Sequence, residues 1–298
     1  MRGNLKYISS LVHRTPKSKN TKPLLKADLH THPYINDVAS LDHTLSVLQK
    51  NNISILANVV HGSGNQKEFD FWHVKELLKD SMRGYEIEDL DTVVKIYNFG
   101  FKIVITGGYE NYCEVERVKG RLDIVVISSE KGFKKHMHKE NRFQEKLKIA
   151  RDYGGIVVSA HPYALWDPYG PMGFFKFRLA SPEESKIIRQ VVFHQVDCVD
   201  IVATNVAWMV ISNDLVREEY PYRSLCSSDA HSINRTIRNE IGKSGCIFPD
   251  FDFSSGVEFR EKLRDHIKDG NFETYLKYLG PLKFIRSIAL SKPSDALP

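Results

Sequence analysis

Three features of the 298-residue sequence predict an α/β fold whose parallel sheet closes into a barrel. Short, β-branched, apolar runs recur along the chain, longer amphipathic segments separate them, and seven such strand–helix units occur before residue 230. The runs lie at 24–29, 53–60, 103–106, 124–127, 156–159, 199–203 and 224–226. They are apolar on both faces, as strands buried in a parallel sheet are. Helices are predicted between them at 41–50, 72–78 with 87–99, 142–153, 182–194 and 206–219. Ser181 and Pro182 form an N-cap with proline at the first helical position. Gly154 and Gly155 end the helix that precedes Ile156. Beyond Asp250 the alternation stops. An amphipathic helix over 257–268, ended by Gly270, precedes an apolar stretch at 279–290 that Pro281 interrupts. The organisation expected is a basic, poorly ordered arm over 1–23, a barrel over 24–250, and a helical extension packed on the barrel over 251–298.

The hydrophobic (42%) and charged (27%) fractions are those of a globular chain large enough to need no disulfide staples. A net charge of +5 is compatible with an anionic substrate and does not require a nucleic-acid partner. Much of it comes from seven cations, Arg2 to Lys26, ahead of the first acidic residue, Asp28. This basic, acid-poor arm leaves a nucleic-acid arm or an organelle-targeting peptide open beside a solvated tail, although Pro16 and Pro23 limit the helical continuity of a targeting peptide. Cys113, Cys198, Cys226 and Cys246 are scattered and form no C-x-x-C pair, which reads as buried thiols in a reducing compartment. With neither a secretory signal nor a membrane-length apolar run, the expected location is cytoplasmic and no membrane partner is expected.

The stretch "KADLHTHP" places His30 and His32 two residues apart, so in a strand both imidazoles face one spot. Neutral imidazole is among the commonest metal ligands. Further candidates follow the other runs: His61 in "NVVHG", Glu110 in "TGGYENY", Glu130 in "ISSEKG", His161 in "VVSAHPY", and Asp229 with His231 in "LCSSDAHS". Six of the seven runs end this way. The carboxyl ends of parallel strands meet on one face, where ligands bind. Mixed imidazole and carboxylate donors suit zinc, manganese or iron, and their surplus implies two or three ions sharing carboxylates. Paired ions suit in-line displacement at phosphorus.

Taken in order, "DLHTHP", "GGYE", "GGIVVSAHPY" and "SSDAHS" resemble the successive motifs of the PHP (polymerase and histidinol phosphatase) family of metal-dependent phosphoesterases. The likeness runs from about Leu24 to Tyr275. It implies a distorted (β/α)7 TIM-like barrel with a C-terminal helical appendix and a two- or three-metal site. Under it His30, His32, His61, Glu110, His161, Asp229 and His231 match metal ligands, and Asp37 matches an acidic ligand that follows the H-x-H pair. Glu130 falls where many members carry a histidine. Val60 stands where Thr-Asp-His is usual, a departure expected to weaken the support of one ion.

The activity expected is hydrolysis of a phosphate ester by metal-activated water, on a phosphorylated small molecule or nucleotide, with nucleic acid left open as substrate or partner. His61 or His231 would bind metal or donate a proton to the leaving oxygen. Arg235 and Arg238 would clamp phosphate oxygens. Two other readings stand beside this one. One is an amidohydrolase-type hydrolase, for which Lys131 is the only candidate bridging lysine. The other is a metal-stabilised barrel without catalysis that binds nucleic acid or protein through its basic arm. Loop 166–178 is rich in aromatics and reads as a lid or a packing surface.

Overall fold

The computed structural model describes residues 23–61, 70–81, 85–98, 100–167, 177–202, 207–220, 223–230 and 239–278. Its order is β1 (Leu24–Thr31), α1 (Val38–Lys50), β2 (Ile55–His61), α2 (Phe71–Ser81), β3 (Glu86–Asp89), β4 (Val93–Asn98), β5 (Phe101–Glu114), β6 (Arg121–Ile127), α3 (Phe133–Lys139), α4 (Phe143–Asp152), β7 (Ile156–Ala160), β8 (Ala164–Trp166), β9 (Phe177–Leu179), α5 (Pro182–Ile188), β10 (Cys198–Val202), α6 (Ala207–Glu219), β11 (Ser224–Ser227), β12 (Gly245–Pro249), α7 (Gly256–Lys268) and β13 (Glu273–Tyr275). No helix among the described residues is long and apolar enough to cross a membrane.

Seven strands line up as β11-β10-β7-β6-β5-β2-β1 in a mixed α/β, nearly closed, barrel-like sheet. The backbone after β11 returns to β1: Asp229 N–H donates to His30 O at 2.9 Å, and His32 N–H donates to Ala230 O at 3.1 Å. Buried Asp28 on β1 adds a side-chain tie, accepting from Ser228 N (3.1 Å) and Gly242 N (2.8 Å). Burial is the main cause that raises the Asp28 carboxyl to about 6.

The sheet departs from the expected (β/α)7 pattern in three places. First, β6 runs antiparallel to both neighbours, β5 and β7. The turn at 115–120 is too short for a crossover helix, so the chain comes back as a hairpin. Second, the predicted helix at 87–99 is not found over its described residues, 87–98; β3 and β4 form a hairpin that adds to β5. Its β-branched run, Val93-Val94-Lys95-Ile96, favours strand, and Asp91 turns with φ +64°. Third, β5 extends through Gly107 and Gly108 to Glu114. A Cβ at Gly107 would lie 2.8 Å from Phe71 Cβ, so only glycine lets α2 approach there.

Strand alternation sorts the side chains. Leu25, Ala27, Ile55, Ala57, Val59, Val104, Val125, Ile127, Ile156 and Val158 fill the barrel interior. Phe251, Phe253 and, from α7, Phe259, Leu263 and Ile267 complete that cluster. Arg264 on α7 donates to Gly154 O and Gly155 O just before β7, so the helix covers the amino end of the barrel. The C-terminal extension also contributes a strand, since β13 pairs with β12, which pairs with β1. A second cluster packs α3, α4 and α5 on the outside of the sheet, and a third packs α1 and α2.

Candidate metal centre

Above the apolar layers, the same inward positions become polar. On β2 the inward series Ile55, Ala57, Val59 continues to His61; on β5, Val104 continues to Glu110. His61 and Glu110 are partners in the register, and His61 Nε2 lies 3.1 Å from Glu110 Oε2. On β1 the apolar series is odd-numbered but the histidines are even-numbered. A register irregularity between Asp28 and Thr31 makes the switch, as a bulge does when it re-aims a side chain. His30 Nε2 and His32 Nε2 then stand 3.3 Å apart, at 3.4 Å and 3.1 Å from the two oxygens of Glu110. His32 stacks on His61 with centroids 4.0 Å apart.

Two more candidates sit just past strand ends in left-handed backbone: His161 at φ +29° and Asp229 at φ +45°. Non-glycine residues hold such angles at a cost, and that strain gathers at functional sites. The turn at His161 brings its ring back over the interior after inward Ala160, with Nε2 3.6 Å from Asp123 Oδ2. Asp229 Oδ1 lies 3.6 Å from His30 Nε2 and 3.8 Å from His32 Nε2.

The reversal of β6 decides the fourth strand's contribution. Asp123, near its start, joins the cluster, while Glu130, beyond its end, does not. Asp123 to Ile127 alone spans about 13 Å of extended chain. Glu130 pairs with buried Arg260 of α7 at 2.5 Å, at the covered end of the barrel. Glu130, expected as a ligand, is thus not brought together with the other candidates among the described residues. Asp37 is exposed and serves as the N-cap of α1, accepting from Ser40 N at 2.7 Å, so it is not gathered into the cluster either. Val60 points away from the site into the outer cluster, so the support it was expected to weaken is not its to give. Lys131, the candidate lysine of an amidohydrolase-type centre, follows Glu130 and lies over the Trp72 ring at 4.6 Å. His231, Arg235, Arg238 and most of loop 166–178 lie outside the described residues; within that loop, Trp166 is buried and stacked on Tyr112.

Among the described residues, two sets of buried groups could each hold a cation: His30, His32 and Glu110, and Glu110, Asp123 and His161. Glu110 belongs to both. Asp200 on β10, which sequence reasoning missed, sits one layer below. Its Oδ2 is 3.0 Å from His30 Nδ1 and accepts from Ser227 Oγ at 2.5 Å. A carboxylate on the far nitrogen fixes the ring and leaves Nε2 for an ion.

The charges are tightly linked. Burial works against ionised Glu110, but His30 and the hydrogen bonds from His30, His32 and His61 outweigh it and hold the carboxyl well below its usual range. Burial likewise opposes a charged His30, yet Glu110, Asp229 and Asp200 hold it well above. Burial, then Glu110, pushes Asp123 well above the carboxylate range. Metal binding to groups of this kind releases protons. A buried nitrogen and oxygen donor set of this composition fits zinc, manganese or iron better than calcium or magnesium.

No protein-family profile matches the sequence, and no curated protein is significantly similar to it. Among solved structures, a chain from Bifidobacterium adolescentis, provisionally described as a metal-dependent phosphoesterase, matches 81% of this chain and 96% of that one. The identity is 12% and the TM-score 0.42. A likeness that weak says nothing about the activity of this chain.

Proposed function

We propose that the chain is a metal-dependent phosphoesterase of the PHP type. The observation that carries this is the shared carboxylate: Glu110 stands in both buried ligand sets, as the bridge of a two-metal site must. His30 and His32 would hold one ion, Asp123 and His161 the other, with Asp229 close to the first. Divalent ions held there would lower the pKa of water to near neutrality and stabilise charge on the attacking and leaving oxygens. The protein's own work is placement. Asp200 orients His30, the turns at His161 and Asp229 aim their side chains, and the apolar layers below exclude water from one side. His61 is the most exposed of the cluster at 21% and hydrogen-bonds Glu110, which suits it to donate a proton to a leaving oxygen at the mouth.

The test is hydrolysis of a panel holding a monoester, a diester, a nucleoside bisphosphate and short single-stranded DNA and RNA, with manganese and again with chelator. Metal-dependent cleavage of at least one member, lost in Glu110→Gln, is expected. A protein loaded with two ions that cleaves none of them would count against the proposal.

A further inference from the structure

The strand that supplies Asp123 carries an arginine on the same face. Arg121, Asp123, Val125 and Ile127 alternate inward along β6, and the last two fill the barrel interior. Arg121 is therefore one step beyond Asp123 toward the carboxyl end of the barrel, about 7 Å along the strand. Its side chain is held rather than loose. Nε and Nη2 lie 3.2 Å and 3.0 Å from Glu114 Oε1, the cross-strand partner on β5. The guanidinium carbon is 5.3 Å from the ring centre of Trp166, its neighbour on β8. Trp166 in turn stacks on Tyr112, the partner of Asp123, with centroids 4.9 Å apart and planes 24° apart.

These contacts leave one edge open. Glu114 takes the Nε–Nη2 edge, Nη1 has no partner among the described residues, and the side chain is 34% exposed. A guanidinium fixed by stacking loses little freedom when it forms its remaining hydrogen bonds, and its planar donors match phosphate oxygens. Trp166, already stacked against Tyr112 and Arg121, serves as the arginine's support and not as a platform for a base.

We infer that Arg121 is a substrate-binding residue that takes a non-bridging oxygen of the phosphoryl group on the Glu110–Asp123–His161 side of the site. The inference rests on the phosphoesterase reading and adds an anchor to it. A phosphoryl group seated there would have two oxygens toward the ligand sets and a third toward Arg121. That arrangement suits the terminal phosphate of a monoester, which has three non-bridging oxygens.

The experiment is calorimetric titration of inorganic phosphate into the full chain loaded with manganese. It compares wild type, Arg121→Gln and Arg121→Lys, with bound manganese and thermal midpoint measured on each. The expected result is phosphate binding about ten- to a hundredfold weaker in Arg121→Gln and intermediate in Arg121→Lys, with unchanged metal content and midpoint. Equal phosphate affinity in wild type and Arg121→Gln would overturn the role of Arg121 and leave the phosphoesterase reading standing. A loss of affinity that follows lost manganese or a lowered midpoint in both variants would reduce Arg121 to a structural residue and overturn the inference. A metal-loaded wild type that binds no phosphate would instead overturn the phosphoesterase reading itself, and the inference with it.

Discussion

Asp123 and Glu130 lie on one strand and its following turn, yet they should respond to mutation in opposite ways. Asp123→Asn removes a carboxylate from the set with Glu110 and His161, so bound manganese at saturation should fall by about one equivalent, read by elemental analysis. Glu130→Gln should leave metal content unchanged and lower stability by about 1–3 kcal/mol, because it leaves buried Arg260 short of a charged acceptor. The reverse pattern would restore Glu130 as a ligand. The residue scale is also where the sequence was most and least readable. His30, His32, Glu110, His161 and Asp229 were legible because unusual residue types sit at the ends of apolar runs. Asp123 and Asp200 were not, because a lone aspartate inside a hydrophobic strand carries no sign of which way the strand runs or which side chain lies above it.

The β5–β6 hairpin, which delivers Glu110 and Asp123, is tied down by α5. Glu184 on α5 completes a capping box with Ser181, accepts from Lys119 N of the hairpin turn at 2.9 Å, and receives both Nη1 and Nη2 of Arg178 at 2.8 Å. The Arg178 fork is the main cause that draws the Glu184 carboxyl down to about 2, against the opposing effect of burial. Because the folded pKa lies below the unfolded value, the native state binds fewer protons than the unfolded state between pH about 4.5 and about 2, so stability is lost as pH falls through that interval. Glu184→Gln should therefore lower the thermal midpoint at pH 7, and its difference from wild type should shrink progressively below pH 4.5. A difference that persists undiminished to pH 2 would assign the effect to the cap hydrogen bonds alone. The capping box was legible, since Ser181-Pro182 announces a helix start by itself. The hairpin contact was not, because it joins residues 65 positions apart.

Over the whole molecule, the amino end of the barrel is closed by α7, whose Phe259 is fully buried against Phe251 and Phe253. Phe259→Ala should cost about 3–5 kcal/mol in urea unfolding, with metal binding at the opposite end kept in the fraction that stays folded. A loss under about 1 kcal/mol would mean that α7 merely rests on the surface. The sequence alone determined that the chain is α/β, where most of its strands lie, and that imidazoles and carboxylates collect at their ends, because periodicity and residue type are local properties that burial imposes on each element separately. It could not determine the direction of β6, the hairpin at 86–98, or the sealing of the barrel by α7. Those depend on which elements meet in space. In particular, a short apolar strand has the same composition whether it runs up or down the barrel. Only pairing with β5 and β7 put Asp123 at the mouth and Glu130 at the base.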